Sequence, residues 1–165
     1  MRDTITFRPE TDEDVEFLYR LYASTREEEL KQVPWSDEQK EEFLRQQFGA
    51  QTVHYKKQYA DADYSIILVD AAPAGRLYLH HRATDVRIMD ILLAPEYRGS
   101  GIGSMLLHEI LDRAGAEGQS VSIHVEQDNP ALRLYERLGF RQIDTFGVYL
   151  LMEWKPEAPE QQPAT

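Results

Sequence analysis

Residues 94–111 read "APEYRGSGIGSMLLHEIL", and three glycines, Gly99, Gly101 and Gly103, fall within five positions directly ahead of a good helix former. Glycine costs a helix roughly 1 kcal/mol per position relative to alanine. A chain that gathers it at a helix start is using the bare backbone. The use that fits is close approach of an anion to unpaired N–H groups where the helix dipole is positive. The helix itself is sound, since Ile102, Leu106 and Ile110 share a face flanked by Met105 and Leu107. Two familiar phosphate loops are excluded. A P-loop needs Lys after its last glycine, and the dinucleotide fingerprint G-x-G-x-x-G needs glycine where Ser104 stands.

Working outward, "DVRIMDILL" (85–93) reads as a strand ending before Pro95, and "SVSIHV" (120–125) as the strand that follows the helix. A strand–helix–strand passage of this length predicts a parallel crossover. Upstream, "TITFRP" (4–9) is a strand, and "TDEDVEFLYRLYAST" (11–25) is a helix with Thr11 or Asp12 at its cap. A second helix, from about Ser36 to Tyr59, opens on the capping-box pattern "SDEQ", with Gly49 as a point of breaking or bending. "YSIILVD" (64–70) and "RLYLHH" (76–81) are strands joined by a turn at "AAPAG" (71–75). "NPALRLYERLG" (129–139) is a short helix, and "FRQIDTF" (140–146) and "VYLLMEW" (148–154) close the chain as strands around Gly147. The expectation is an α/β (α+β mixed) fold: one domain over residues 1–155, a central, mostly antiparallel mixed sheet of seven strands, and four flanking helices. The proline-bearing stretch from 156 to 165 is expected to be a disordered tail.

Composition narrows the function. At 165 residues the chain is large enough for a real core, and with no cysteine it can build neither a disulfide nor a thiolate nucleophile. Its formal charge of −11 argues against a nucleic-acid binder. No apolar run approaches a membrane span and the first ten residues have no signal-peptide core, so no membrane partner and a cytoplasmic location are expected. Acid is concentrated between Glu10 and Glu42, with twelve Asp or Glu against four Lys or Arg. That reads either as a solvated helix surface or as a wall that attracts a cation. His80 and His81, adjacent on one strand, point to opposite faces, and no metal site is expected.

The 129–140 stretch has its own mechanics. Asn129 suits an N-cap, Pro130 a first helical position, Gly139 a C′ position, and Tyr135 an inner stripe with Ala131, Leu134 and Leu138.

Together, "ILLAPEYRGSGIG" and "NPALRLYERLGF" resemble the two signature segments of the GCN5-related N-acetyltransferase family, and the element order agrees over residues 4–154. The resemblance implies acetyl-CoA as co-substrate, with its pyrophosphate on the amides of Arg98, Gly99, Ser100, Gly101, Ile102, Gly103 and Ser104. It implies that pantetheine pairs with the backbone of Ile91, Leu92 and Leu93, where a bulge splays two neighbouring strands, and that Asn129 contacts the same arm. Tyr135 maps onto the tyrosine that protonates the departing thiolate, and the N–H of Leu93 onto the oxyanion donor. Five residues before Asn129, where ribosomal-protein acetyltransferases of the family carry glutamate, this chain carries His124; Asp90 and Glu126 compete for the role of base. The implied activity is acetyl transfer to a primary amine, of a cationic small molecule or a peptide. A non-catalytic acyl-CoA sensor is the competing expectation. Homodimers are frequent in the family, and the closing strands leave that open.

Overall fold

The computed structural model describes residues 4–157, so the expected tail lies outside the described residues beyond its first two positions. The elements are β1 (Ile5–Pro9), α1 (Val15–Lys31), α2 (Asp37–Gln58), β2 (Asp63–Val69), β3 (Ala72–His81), β4 (Asp85–Leu93), α3 (Ile102–Ala116), β5 (Ser120–Glu126), α4 (Leu132–Arg137), β6 (Arg141–Phe146) and β7 (Tyr149–Trp154). Single 3₁₀ turns precede α1 at Asp12–Asp14 and α3 at Pro95–Tyr97. The seven strands form one mixed sheet in the order β1-β2-β3-β4-β5-β7-β6. β4 and β5 run parallel, as the crossover requires, while β1–β2, β5–β7 and β6–β7 are antiparallel. Among the described residues no helix is long and apolar enough to cross a membrane.

The described chain falls into two compact units, one running up to Tyr78 and taking in Asp90–Arg98, the other comprising Leu79–Met89 and the residues from Gly99 onward.

In the first unit, two capping boxes start the helical segments. Thr11 and Asp14 exchange side-chain and backbone bonds, and Ser36 and Gln39 do the same at the start of α2, as its sequence predicts. Asp14 is buried and takes a bidentate pair from Arg8, both bonds 2.8 Å long. That guanidinium, against the opposing effect of burial, holds the Asp14 carboxyl at about 2. α1 runs on to Lys31, well past the expected end near Thr25. No breaker intervenes before Pro34, and Leu30 is drawn into a core with Tyr19, Tyr22 and Leu44. α2 passes through Gly49 as part of one uninterrupted helix, so of the break or bend expected there the break is excluded.

The β2–β3 turn also differs from expectation. It is made by Asp70 and Ala71, both left-handed (φ 49° and 69°), and "APAG" belongs to β3. Two successive positive φ values define the hairpin turn whose twist matches that of the flanking strands. Asp70 is further tied to Thr4 through both its N–H and its carboxylate, which favours the turn at this place over the glycine five residues on. Gly75 serves another purpose: a Cβ there would lie 2.2 Å from the carbonyl oxygen of Leu92.

In the second unit, α3 packs on β5 through Ile102, Leu106, Leu107, Ile110, Leu111 and Ala114, all buried. Each such side chain is worth roughly 1.5–3 kcal/mol of transfer free energy. Met105, expected to flank this face, is 46% exposed and lies outside the packing stripe. α4 is shorter than its sequence suggests. The Asn129 carboxamide accepts the Ala131 N–H (2.8 Å) in a turn of its own, so the helix begins at Leu132 behind Ala131. Its far end follows the sequence closely. Gly139 (φ 103°) stands at C′, and Phe140 N–H reaches back to the Tyr135 carbonyl at 3.0 Å in a Schellman closure. At the sheet edge, β6 is fully exposed, and its register shifts between Gln142 and Asp144, leaving Ile143 as a bulge.

Candidate functional site

The glycine stretch opens α3 as a bare helix start. Gly101 is the N-cap in left-handed conformation (φ 87°), no side chain caps the helix, and no carboxylate stands in the first turn. Gly99 is also left-handed (φ 73°), and a Cβ at either glycine would meet no atom within 4 Å. These glycines are therefore required by conformation and not by crowding from this chain's own atoms. The first internal helical bond here is Met105 N–H to the Gly101 carbonyl (3.0 Å). Backbone of this kind, open on its ligand side and free of a competing carboxylate, suits a diphosphate. Ile102 is buried as the helix's anchor, whereas Gly99, Ser100 and Gly101 are exposed and Gly103 and Ser104 are half-buried.

Within the first unit, Ile91, Leu92 and Leu93 are half-buried at the end of β4. The Ala94 N–H bonds the Ala74 carbonyl at 2.7 Å, and Gly75 lets the Leu92 carbonyl lie close against β3. Arg98 fixes this strand end: Nε donates to the Leu93 carbonyl and Nη2 to Ser24 Oγ of α1, both at 2.9 Å. Its backbone N–H is spent on the Pro95 carbonyl (3.2 Å). The side chain of Arg98 is thus a brace for the strand end, a role the sequence did not suggest.

His124, in the second unit, ends a polar row along β4 and β5. Asp85 accepts from Arg82 (2.7 Å) and from Ser122 (2.9 Å), Arg87 Nε donates to Ser122 Oγ (2.8 Å), and Arg87 Nη1 lies 3.3 Å from His124 Nδ1. Since arginine only donates, Nδ1 accepts and the neutral ring carries its proton on Nε2. Desolvation of the ring, followed by the positive charges of Arg87 and Arg82, lowers the His124 pKa from the ordinary histidine value. Phe146 packs edge-on against the same ring at 5.9 Å. Tyr135 is buried on α4, edge-to-face with Phe140 (5.6 Å), and the Schellman bonds at its own carbonyl hold its backbone. Asn129 is exposed in the preceding turn, and Glu126 is exposed at the end of β5.

Sequence reasoning missed a second constellation, which lies wholly in the first unit. Arg76 on β3 is 2% exposed; it is ion-paired with Asp90 through Nε (2.9 Å) and Nη2, and it donates from Nη2 to Gln51 Oε1 (3.0 Å). With both donors on its Oδ2, Asp90 is committed to a structural pair. Above Arg76 is a pocket of about 460 Å³ whose walls include Phe48, Tyr55, Tyr64 and Tyr78. Its members come from the turn after β1 and from α1, α2, β2 and β3, so no local spacing could have announced it.

Comparison with known proteins bears on the family and the fold. The model of the acetyltransferase (GNAT) family matches residues 15–140. A ribosomal protein bS18-alanine N-acetyltransferase of Haemophilus influenzae is 31% identical over 61 residues, 36% of this chain and 42% of that protein. A mycothiol acetyltransferase of Corynebacterium aurimucosum is 50% identical over 50 residues, 29% of this chain and 16% of that protein. The chain thus matches less than half the length of either relative. Among solved structures, the PaiA N-acetyltransferase of Thermoplasma acidophilum in complex with coenzyme A superposes with a TM-score of 0.68 at 23% identity, covering 92% of this chain and 99% of that one. An acetyltransferase of Thermus thermophilus gives a TM-score of 0.64 at 20% identity over 92% and 97% of the two chains. At these identities the structures speak to the fold, and the family model, spanning most of the sequence, decides the family: this chain belongs to the acetyltransferase (GNAT) family.

Proposed function

We propose that the protein is an N-acetyltransferase that moves the acetyl group of acetyl-CoA to an amine. The observation that carries this reading is the uncapped start of α3, with Gly99 and Gly101 left-handed and no carboxylate in the first turn. Acetyl-CoA supplies the activated thioester. The cradle for its pyrophosphate runs over the amides of Gly99, Ser100, Gly101, Ile102, Gly103 and Ser104, and Arg98 braces the β4 strand end through Leu93 and Ser24. The backbone of Ile91, Leu92 and Leu93 is the pantetheine rail, and the Leu93 N–H is the oxyanion donor. Tyr135 delivers the proton to the leaving thiolate from its phenolic hydroxyl. Asn129 shapes the turn ahead of α4 and contributes to the pantetheine arm.

For the base we favour His124 over Asp90, whose carboxylate is ion-paired with Arg76. His124 takes the amine proton through water, because its lowered pKa keeps the ring unprotonated at neutral pH. The sign gives a pH profile. A base must be deprotonated, so kcat/KM holds as pH falls through 6.5 and declines only below the lowered pKa. His124→Gln removes that lower limb.

The acceptor is an amine, and the matched relatives frame its range: one is named for an alanine of ribosomal protein bS18 and the other for mycothiol. The deciding experiment is thiol release from acetyl-CoA against polyamines, aminoglycosides, amino acids and short peptides, with calorimetry of coenzyme binding alongside. Acceptor-dependent release is the expected result. Binding without release for any acceptor favours a sensor over an enzyme. Tyr135→Phe should lower kcat by about 100-fold while coenzyme affinity stays within about twofold; equal rates remove its acid role.

A further inference from the structure

The tyrosine pocket of the first unit already contains an ammonium. Lys56 Nζ sits 3.5 Å from the centroid of the Tyr64 ring and 3.3 Å from Glu10 Oε1. Each part of this seat is fixed independently of the lysine. The Tyr64 hydroxyl donates to the backbone carbonyls of Tyr55 (2.9 Å) and Tyr59 (2.7 Å), which sets the plane of its ring. Tyr78 stands edge-on to Tyr64 at 4.8 Å and donates to Glu10 Oε2 at 3.4 Å. Burial, ahead of all other influences, pushes the Tyr78 phenol far above its usual range, so it remains a neutral donor. The carboxylate and the aromatic face are therefore preorganised, and preorganisation is what a cation site needs to bind well.

Charge in the pocket decides what fits. Arg76 is neutralised by Asp90, and Arg45 on the wall is committed to Glu16 and Glu41. Glu10, whose side chain is 13% exposed, is left facing the Lys56 ammonium alone. Lys56 is the mobile member: its side chain is 48% exposed and it stands in the last turn of α2, so its four-carbon stem can swing to water. Its departure leaves the half-buried Glu10 carboxylate against a tyrosine face, with the exposed Asp12 also on the wall, in a cavity of about 460 Å³. That volume falls within the range of small-molecule sites, ~300–1,000 Å³.

We propose that this pocket binds an organic ammonium ion from solution, with Lys56 as the tethered occupant that the ligand displaces. The inference goes beyond the transferase reading and does not rest on it. The ligand class is an alkyl- or arylalkylammonium, whose charge replaces the Lys56 ammonium between Glu10 and Tyr64. The ligand's apolar body fills the space beside Tyr55 and Tyr78.

The test is an NMR titration of the full chain, without coenzyme, using phenethylammonium as probe and neutral 2-phenylethanol as control. The amine should bind and the alcohol should bind at least about tenfold more weakly. Lys56→Met, which keeps the stem and removes the competing charge, should tighten amine binding by about tenfold or more. Glu10→Gln should weaken it by a similar factor. Equal affinity for amine and alcohol, or an amine affinity unchanged in Lys56→Met, overturns the proposal. Those two arms stand whether or not Glu10→Gln folds. Adding acetyl-CoA to the same mixtures separates an acceptor, which releases thiol, from an effector, which binds without reacting. Because binding is read without turnover, failure of this site and failure of the transferase reading are distinguishable.

Discussion

The glycine loop and the tyrosine pocket, proposed to receive opposite charges, are built by opposite means. The loop offers backbone amides of one continuous segment and achieves its shape by omitting side chains at Gly99 and Gly101. The pocket offers side chains from four elements, and its tyrosines Tyr64 and Tyr78 are locked by hydrogen bonds at their hydroxyls. A site made by omission tolerates no addition. A site made by locked side chains depends instead on the buried partners that hold them.

That contrast can be broken at several points. The largest effect is expected at the pocket's floor. Asp90→Asn leaves the buried Arg76 guanidinium without a counter-charge and should cost about 3–5 kcal/mol of stability in urea unfolding. A loss under about 1 kcal/mol means that the guanidinium is hydrated and the floor is not the lock described. Next is Gly101→Glu, which forces a Cβ residue into φ 87° and sets a carboxylate at the anion cradle. Coenzyme affinity should fall at least ~100-fold by calorimetry, about 2.7 kcal/mol, while binding of the ammonium probe is retained. Loss of both ligands together ends the division between the two regions.

A third difference is in pH. The Asp14 carboxylate, depressed to about 2, braces the Thr11 rim of the pocket by accepting its N–H at 2.8 Å. A depressed carboxyl stabilises above its unfolded pKa and loses that contribution as pH falls through the folded value. Roughly 2 kcal/mol should therefore disappear between about pH 4 and pH 2. Asp14→Asn should abolish that acid limb in thermal melts, and an unchanged limb assigns it elsewhere. The smallest effect belongs to Ala71, which holds a left-handed φ of 69° without being glycine. Ala71→Gly should raise stability by under about 1 kcal/mol, because the strain of a left-handed alanine is relieved and partly offset by a more flexible unfolded chain.

How much of this was legible in the sequence follows the same contrast. The loop was legible because its shape depends on a local absence of side chains, which a sequence displays directly. Ser36 with Gln39, the strand at 85–93 and the C′ position of Gly139 were legible for the same reason: each is a short-range pattern with its partner a few residues away. The turn at 70–71 was not, because "AAPAG" carries the usual turn residues whereas the actual turn is held by a long-range tie from Asp70 to Thr4. Gly75 looked like a turn glycine and proved to be clearance for the Leu92 carbonyl. The pocket was opaque altogether, since Glu10, Lys56, Tyr64 and Arg76 are separated by ordinary spacings and converge only when helix α2 and the strands come together in the folded chain. At His124 the residue was found but not its state, which Arg87 determines from a different strand.

The bulge at Ile143 bears on how this chain behaves when crowded by its own copies. β6 ends the sheet order with all six residues exposed, among them Ile143 and Phe146. A flat strand of that kind is a template for edge-to-edge pairing and, at high concentration, for fibrous aggregates. The register shift between Gln142 and Asp144 interrupts the row of donors and acceptors that a second strand would have to match. An irregularity of one residue therefore acts as a guard on colloidal behaviour, and deleting Ile143 would remove it.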